Sequence, residues 1–349
     1  MIAAGEVRHY GAEALLPAAW RWLAAEGPVR CFNPGLLADA EGWLLAFRVV
    51  GADGRRRIGL CRLDRNLAVV PGSALPLSDT LALPPGLGSQ AYHWFADPRL
   101  YRLREGLFLY WNSGCHEPRN HQFLQRLDPA SLRPLGPVRE LLLQGPGQAQ
   151  EKNWTLFEAD GLHAVYAPQP HQVLALAAEA AGSLHWRPAA APVVAGAGFA
   201  ARFAPLRGGA PPQRQGNAFT SFCHCVVPTP RGYRYLAAAY RFSAEPPFLP
   251  LELPLRPLPL HRLLPGQGSS ALNDAVAEVA YACGAAWHGG QWLVSLGIND
   301  ATCAILALDA AAVDACLAPA ASALDRGSDL VGPWSACFDY APGDRHAYA

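Results

Sequence analysis

One pattern recurs five times along the chain: a short polar motif, an apolar run that alternates like a strand, a turn containing Gly, and two further apolar runs. The first copy opens at Asn33-Pro34-Gly35 and turns at Glu41-Gly42 into the runs 43–48 and 58–64. The second opens at Asp97-Pro98-Arg99 and turns at Glu105-Gly106 into 107–111 and 123–128. Lys152-Asn153-Trp154 opens the third, with its turn at Asp160-Gly161 and runs at 162–166 and 171–174. Arg207-Gly208-Gly209 opens the fourth, which continues through 220–224 to 235–240. The fifth runs from Tyr281-Ala282-Cys283-Gly284 through Gly289-Gly290 to 292–297 and 304–309. Hairpin units with Gly at the turn, spaced by roughly fifty residues and separated by Pro-rich loops, predict an all-β, five-bladed β-propeller. In that architecture the first strand of every blade lines the central channel. Asn33, Asp97, Lys152, Arg207 and the region of Asn299-Asp300 are therefore expected to converge on one axial pocket.

The remainder predicts flanking structure rather than a second domain, so 1–349 is read as one domain with blades over about 30–310. Residues 11–26, with Leu15, Leu16, Trp20 and Leu23 at helical spacing, predict one N-terminal amphipathic helix. Residues 310–324 predict a helix within a C-terminal helix and tail over 310–349. The segment 243–274 is rich in Pro and Leu and reads as a long loop between blades, as does the Ala/Gly-rich 187–210.

Composition narrows the function. Charged residues make up 16% of the chain and the formal net charge is zero, so neither a nucleic-acid partner nor an anionic membrane is expected. The N-terminal residues show no basic start followed by an apolar core, and no apolar run reaches membrane-spanning length; the expectation is a cytoplasmic protein. Nine cysteines sit mostly in apolar runs and read as buried thiols. Cys223-His224-Cys225 carries the usual zinc ligand types. On a strand, however, the two thiols face away from the imidazole and no paired C-x-x-C supports them, so no metal is expected. Phosphate-cradling glycine loops and a Ser nucleophile elbow are absent, which argues against an ATPase, a dehydrogenase and a serine hydrolase. Lys152 is the one lysine among 28 basic residues. In a chain that favours arginine so strongly, a retained ammonium marks a place where a compact point charge is wanted.

Taken in order, Asn33-Pro34, Ala46-Phe47-Arg48, Asp97-Pro98-Arg99, Lys152-Asn153-Trp154 with Phe157, Arg207-Gly208-Gly209, His224, Pro246-Pro247-Phe248 and the run 295–300 resemble the five-bladed propellers of glycoside hydrolase family 130. The likeness covers about residues 30–310. It implies an inverting enzyme acting on β-mannoside-like bonds by phosphorolysis or hydrolysis; related propellers are mannosyltransferases. Two positions depart from the family pattern: its usual acid before Asp-Pro-Arg is Ala96 here, and Lys152 is followed by Asn153-Trp154.

On this resemblance Asp97 is the expected general acid, delivering its proton through a sugar hydroxyl. Inorganic phosphate is the expected co-substrate, with no other cofactor. An inverting phosphorolysis needs one protein acid and a set of cations to hold the anion in line. Arg48, Lys152 and His224, with Arg207 as a fourth, are the expected anion-binding residues. Asn33, Arg99, Trp94, Asn153, Trp154 and Asp300 are expected to bind sugar, with Tyr92 and His93 as further candidates. Asn112, His116 and Glu117 are placed at the rim, and Glu117 is the candidate second carboxylate for a hydrolase. Two alternatives stand beside this reading: a glycosyltransferase taking a sugar-nucleotide donor such as GDP-mannose, and a non-catalytic glycan-binding propeller. The partner in each case is a small molecule or oligosaccharide, and homo-oligomerisation is compatible with all three.

Overall fold

A computed structural model of the chain describes residues 3–104, 106–114, 119–145, 151–230, 232–260 and 272–320. Strand β1 is Val7–Tyr10, and the strands that follow group into five consecutive antiparallel meanders. These are β2 (Arg30–Asp39), β3 (Gly42–Val50) and β4 (Arg56–Leu63); β5 (Ala96–Leu103), β6 (Gly106–Asn112), β7 (Gln122–Leu127) and β8 (Pro134–Leu143); and β9 (Thr155–Glu158), β10 (Leu162–Pro168), β11 (His171–Ala180) and β12 (Ser183–Pro188). The fourth comprises β13 (Gln213–Gln215), β14 (Ala218–Thr229), β15 (Gly232–Ser243) and β16 (Pro250–Pro254), and the fifth β17 (Val276–His288), β18 (Gln291–Ile298) and β19 (Thr302–Asp309). A short β20 (Leu317–Pro319) pairs with β16. The chain is thus mostly β, as its period-2 runs require.

Two of the hairpins fall where Gly follows an acid or another Gly: Asp39 pairs Gly42, and His288 pairs Gln291 across Gly289-Gly290. The N-terminal β1 adds to the outer edge of the last meander, with Tyr10 opposite Cys303, and so ties the two ends of the described chain together. The first strands of the meanders approach one another: β2 touches β5 and β17, β5 also touches β9 and β17, and β13 touches β17. Two glycines show how close that approach is. A Cβ on Gly284 would stand 2.3 Å from the backbone N of Leu36, and one on Gly208 would stand 2.0 Å from the carbonyl oxygen of Asn153. No residue with a side chain fits either position without the strands separating.

Apolar faces between neighbouring meanders form the core, for example Phe47, Leu45 and Trp43 against Leu293 and Ile305, or Phe157 against Phe219, Phe242 and Phe248. Several expectations are revised. The N-terminal amphipathic stretch is not one helix but Ala12–Leu15, a 3-10 turn at Ala18–Trp20 and Trp22–Glu26, because Pro17 interrupts the ladder. Its apolar face is as expected, with Leu15, Trp20 and Leu23 buried against the first and last meanders. The helix expected from 310 ends at Asp314 and the chain then forms β20; the residues beyond 320 lie outside those described. The loop expected over 243–274 contains β16, and 187–210 contains a helix, Ala197–Phe203. No helix among the described residues is long and apolar enough to cross a membrane.

Candidate active site

One pocket gathers nine of the residues singled out from sequence. Asn33, Arg48, Trp94, Asp97, Lys152, Asn153, Arg207, His224 and Asp300 all line it, although they lie up to 267 positions apart in the chain. The pocket holds about 770 Å³ of empty space, part of it open solvent at the mouth. It sits where the first strands of the meanders approach.

A repeated local device turns the polar side chains into this space. In β2, Phe32 pairs Arg48 while Gly35 pairs Ala46, so the chain carries one extra residue at Asn33-Pro34. In β5, Ala96 pairs Asn112 while Arg99 pairs Tyr110, which leaves the same surplus at Asp97-Pro98. Before β13, Arg207 exchanges two backbone bonds with His224, and Ala210 donates to Phe222, with Gly208-Gly209 between them. Each is a β-bulge at the equivalent place of its meander, and a bulge re-aims a side chain that the ladder would otherwise stack. Asn33, Asp97 and Asn153 adopt φ of 52°, 52° and 66°, as do Asn299 and Asp300 at 50° and 52°. Asn and Asp tolerate that left-handed region best among residues with side chains, so the residue types that the backbone demands here are also hydrogen-bonding ones.

Asp97 is the focus of the polar contacts. Its Oδ1 accepts from Arg48 at 2.7 Å and from the Asn33 amide at 2.8 Å, while Oδ2 accepts a longer bond from Asn112 at 3.4 Å. Burial pushes the Asp97 carboxyl up, but the charges of Arg48 and Arg99, the Asn33 hydrogen bond and the charge of Lys152 outweigh it and hold the group below the ordinary carboxylate range. With the pocket empty of substrate, Asp97 is a carboxylate.

His224 is almost fully enclosed, stacked on Tyr235 and met edge-on by Tyr281. Burial, and then the neighbouring charges of Arg207, Arg99 and Lys152, push its pKa down to about 3. It is therefore a neutral imidazole, able to donate rather than to carry a charge, and its Nδ1 finds no hydrogen-bond partner among the described residues. Cys223 and Cys225, its neighbours on β14, point the other way into the apolar core, as the strand period requires. Among the described residues, no three His, Cys, Asp or Glu side chains are grouped to hold a metal ion.

Four expected residues are placed elsewhere, and two lie outside the described residues. Arg99 does not reach the pocket: its side chain is fully buried behind Asp97, donating to the Tyr281 hydroxyl at 2.7 Å, to Asn153 Oδ1 at 3.3 Å and to the Trp154 carbonyl at 3.3 Å. Trp154 is a core residue, packed on Tyr166 and Trp186 with its indole N–H bonded to Glu151. Asn153, with its left-handed φ just before β9, faces the pocket, while its successor is buried in the core. Glu117 and His116 lie outside the described residues, while Tyr92 and His93 line a neighbouring cavity on the far side of Arg56. Sequence reasoning missed Arg56, Tyr235, Asn273 and Tyr281, which also line the pocket. The Arg56 guanidinium lies 3.9 Å from the Trp94 ring centroid; burial and the nearby Arg48 lower its pKa to about 10. Its signal was hidden in the run Arg55-Arg56-Arg57, where nothing distinguishes the inward arginine except the alternation of β4.

No family model matches the chain, and no curated protein matches it. Solved structures do. A β-1,2-mannobiose phosphorylase from Listeria innocua is 12% identical over 89% of this chain and 98% of its own, with a TM-score of 0.57. Another match belongs to the family-130 mannoside phosphorylases, a family that contains glycoside hydrolases targeting β-1,2 mannosidic linkages in Candida mannan. It is 14% identical, covers 88% of this chain and 95% of its own, and has a TM-score of 0.57. A glycosyl hydrolase from Bacteroides ovatus is 14% identical, covering 81% and 85%, with a TM-score of 0.54. At these identities the likeness is one of fold, and it extends over most of the chain.

Proposed function

We propose that the protein is a carbohydrate-active enzyme whose five meanders are the blades of a β-propeller, and that it cleaves β-mannoside-like bonds with inversion, using inorganic phosphate as nucleophile. The observation that carries this reading is a cluster of four cations, Arg48, Arg56, Lys152 and Arg207, outnumbering the two aspartates, Asp97 and Asp300, in one pocket at the meeting of the first strands. A passive sugar binder has no need of such a cluster, since like charges held together are costly unless an anion belongs among them. The fold shared with mannoside phosphorylases supports the substrate class.

In this reading Lys152, Arg207 and Arg48 hold phosphate, and neutral His224 donates one N–H to it. A phosphate oxygen attacks the anomeric carbon from the face opposite the leaving oxygen; the carbon–oxygen bond breaks, and the proton from Asp97 ends on the leaving group through a sugar hydroxyl. Asn33, Asn153 and Asp300 orient sugar hydroxyls, and Trp94 offers a ring face. Phosphate supplies the nucleophile, so one catalytic acid suffices. A transferase reading is favoured by one feature, the number of cations, which would also suit the diphosphate of a sugar nucleotide.

A paired assay separates these. Mannose 1-phosphate and GDP-mannose are each offered with a panel of sugar acceptors, with Lys152→Ala and Asp97→Asn beside the wild type. Product from the sugar phosphate, lost in both variants, is expected; product only from the nucleotide donor would replace the phosphorylase reading by the transferase. A fully active Asp97→Asn would sink the assignment of the acid.

A further inference from the structure

Arg48 has two obligations at once. Its side chain donates to Asp97 Oδ1 at 2.7 Å and also lines the pocket with Lys152 and Arg207. Lys152 likewise acts on Asp97 while facing the same space. The charges that keep Asp97 ionised are thus the charges an incoming anion would engage. The carboxylate is also bonded asymmetrically: Oδ1 takes two short bonds, whereas Oδ2 has only the 3.4 Å contact from Asn112. That leaves Oδ2 as the oxygen able to carry a proton without breaking a strong bond.

We propose that anion binding loads the acid: a dianion entering the pocket takes over Arg48 and Lys152, and Asp97 binds a proton from solvent on Oδ2 in the same equilibrium. The inference rests on the anion-pocket reading above and adds to it that phosphate and the catalytic proton arrive together. The proton balance is simple. One proton passes from water to Oδ2 as the anion binds, and it leaves with the departing sugar oxygen when the glycosidic bond breaks, which restores the carboxylate.

Every group facing Asp97 bears on this. Asn33 on β2 and Asn112 on β6 donate to it, and Arg48 on β3, Arg99 on its own strand and Lys152 before β9 are its cations. Tyr110 on β6, Tyr281 and Cys283 on β17 and His224 on β14 also feel its charge. Burial holds the phenols and the thiol in their neutral forms, their proton affinities raised. Arg56 and Arg207 line the same pocket as further cations, and Asp300 is a second carboxylate there. His224 and Asp300 are the competing proton acceptors, because an anion beside either one favours its protonated form. Reciprocity then requires that protons strengthen anion binding by the same factor that the anion strengthens proton binding.

Sulfate is the probe, since it remains a dianion over the range used and releases or binds no proton itself. It is titrated calorimetrically from about pH 5 to about pH 8, in buffers of different ionisation enthalpy, into the wild type, Asp97→Asn and His224→Gln. The wild type is expected to take up protons on binding, with affinity rising up to about tenfold per pH unit as pH falls through the window. Asp97→Asn should bind sulfate with no uptake attributable to this site, and His224→Gln should keep it. In the wild type, an infrared band of a protonated carboxyl should appear on sulfate addition, a readout that needs no variant. Sulfate binding without proton uptake, or uptake that survives in Asp97→Asn whether or not it vanishes in His224→Gln, would overturn the coupling while leaving the anion pocket standing. Failure of sulfate to bind at any pH would overturn the pocket itself and the coupling with it.

Discussion

Arg99→Met tests whether the floor of the pocket is a brace or a ligand contact. The guanidinium is fully buried on β5 and donates to three acceptors that belong to other meanders: the Trp154 carbonyl, Asn153 Oδ1 and the Tyr281 hydroxyl, while lying 5.1 Å from the Tyr110 ring centroid. Methionine fills a similar space but donates nothing. Asn153 Oδ1 would keep a donor, because the Tyr281 hydroxyl also reaches it at 3.0 Å. The Trp154 carbonyl and the Tyr281 oxygen would each lose the charged donor described here. At about 1–3 kcal/mol per orphaned buried acceptor the loss is about 2–6 kcal/mol, and relief of the buried charge brings the expected net cost towards the lower half of that span. Arg99→Lys should recover only part of it, since one ammonium cannot fork to acceptors on two other meanders. Urea unfolding followed by tryptophan fluorescence gives the comparison. An unchanged unfolding midpoint together with a raised KM for sugar would refute the brace and return Arg99 to the substrate.

Four further outcomes follow from the geometry. Lys152→Ala should raise the KM for phosphate by about 10–100-fold, the worth of one charged hydrogen bond, and Lys152→Arg should fail to restore it because the fork is the wrong shape for the position; initial rates against phosphate concentration measure both. Trp94→Ala should raise the KM for the sugar by about 3–10-fold and that for phosphate by less, since it removes a ring face and no charge but frees the Arg56 guanidinium that lies 3.9 Å from the ring centroid. Gly284→Ala places a Cβ 2.3 Å from the Leu36 N and 2.7 Å from the Ser295 Oγ, and should cost about 1–3 kcal/mol or more in chemical unfolding. Burial lowers the pKa of His171 from 6.5 to about 4 and that of His224 to about 3, so between these values and 6.5 the unfolded chain binds protons that the folded chain refuses. Stability is therefore complete above pH 6.5 and falls as pH drops, by up to about 1.4 kcal/mol per unit for each histidine, and His224→Gln should remove one such share when unfolding is compared at about pH 5 and about pH 7.5.

The repeat was legible because most meanders open with a polar motif and turn their first hairpin at a Gly, and both signals are local. What stayed hidden had no local signal. The outer strands β8, β12 and β16 lie in Pro-rich or mixed segments, and pairing with a neighbouring strand rather than propensity makes them strands. The role of β1 depends on Tyr10 meeting Cys303 from the far end of the chain, which no window of sequence contains. Within the site, most residues at the openings of the repeats were found, and so were Arg48 on β3 and His224 on β14; Arg56 on β4 and Tyr235 on β15 were not, nor was Tyr281, which opens the fifth repeat on β17. Trp154 and Arg99 were misplaced because the backbone leaves the regular strand period inside their motifs: the surplus residue at Asp97-Pro98 shifts Arg99 off the face that Asp97 uses, and the left-handed φ of Asn153 precedes Trp154. The backbone offers a sharper rule. Asn33, Asp97, Asn153 and Asp300 combine a left-handed φ with a place in the pocket lining. The Asn or Asp before Pro that opens each of the first two repeats was thus a record both of a bulge and of the polar atom it turns inward. The strain of that backbone is tolerated where the inward side chain is used, so Asn33→Ala should lose both the bulge geometry and a donor to Asp97, whereas Asn33→Asp should keep the first and reverse the second.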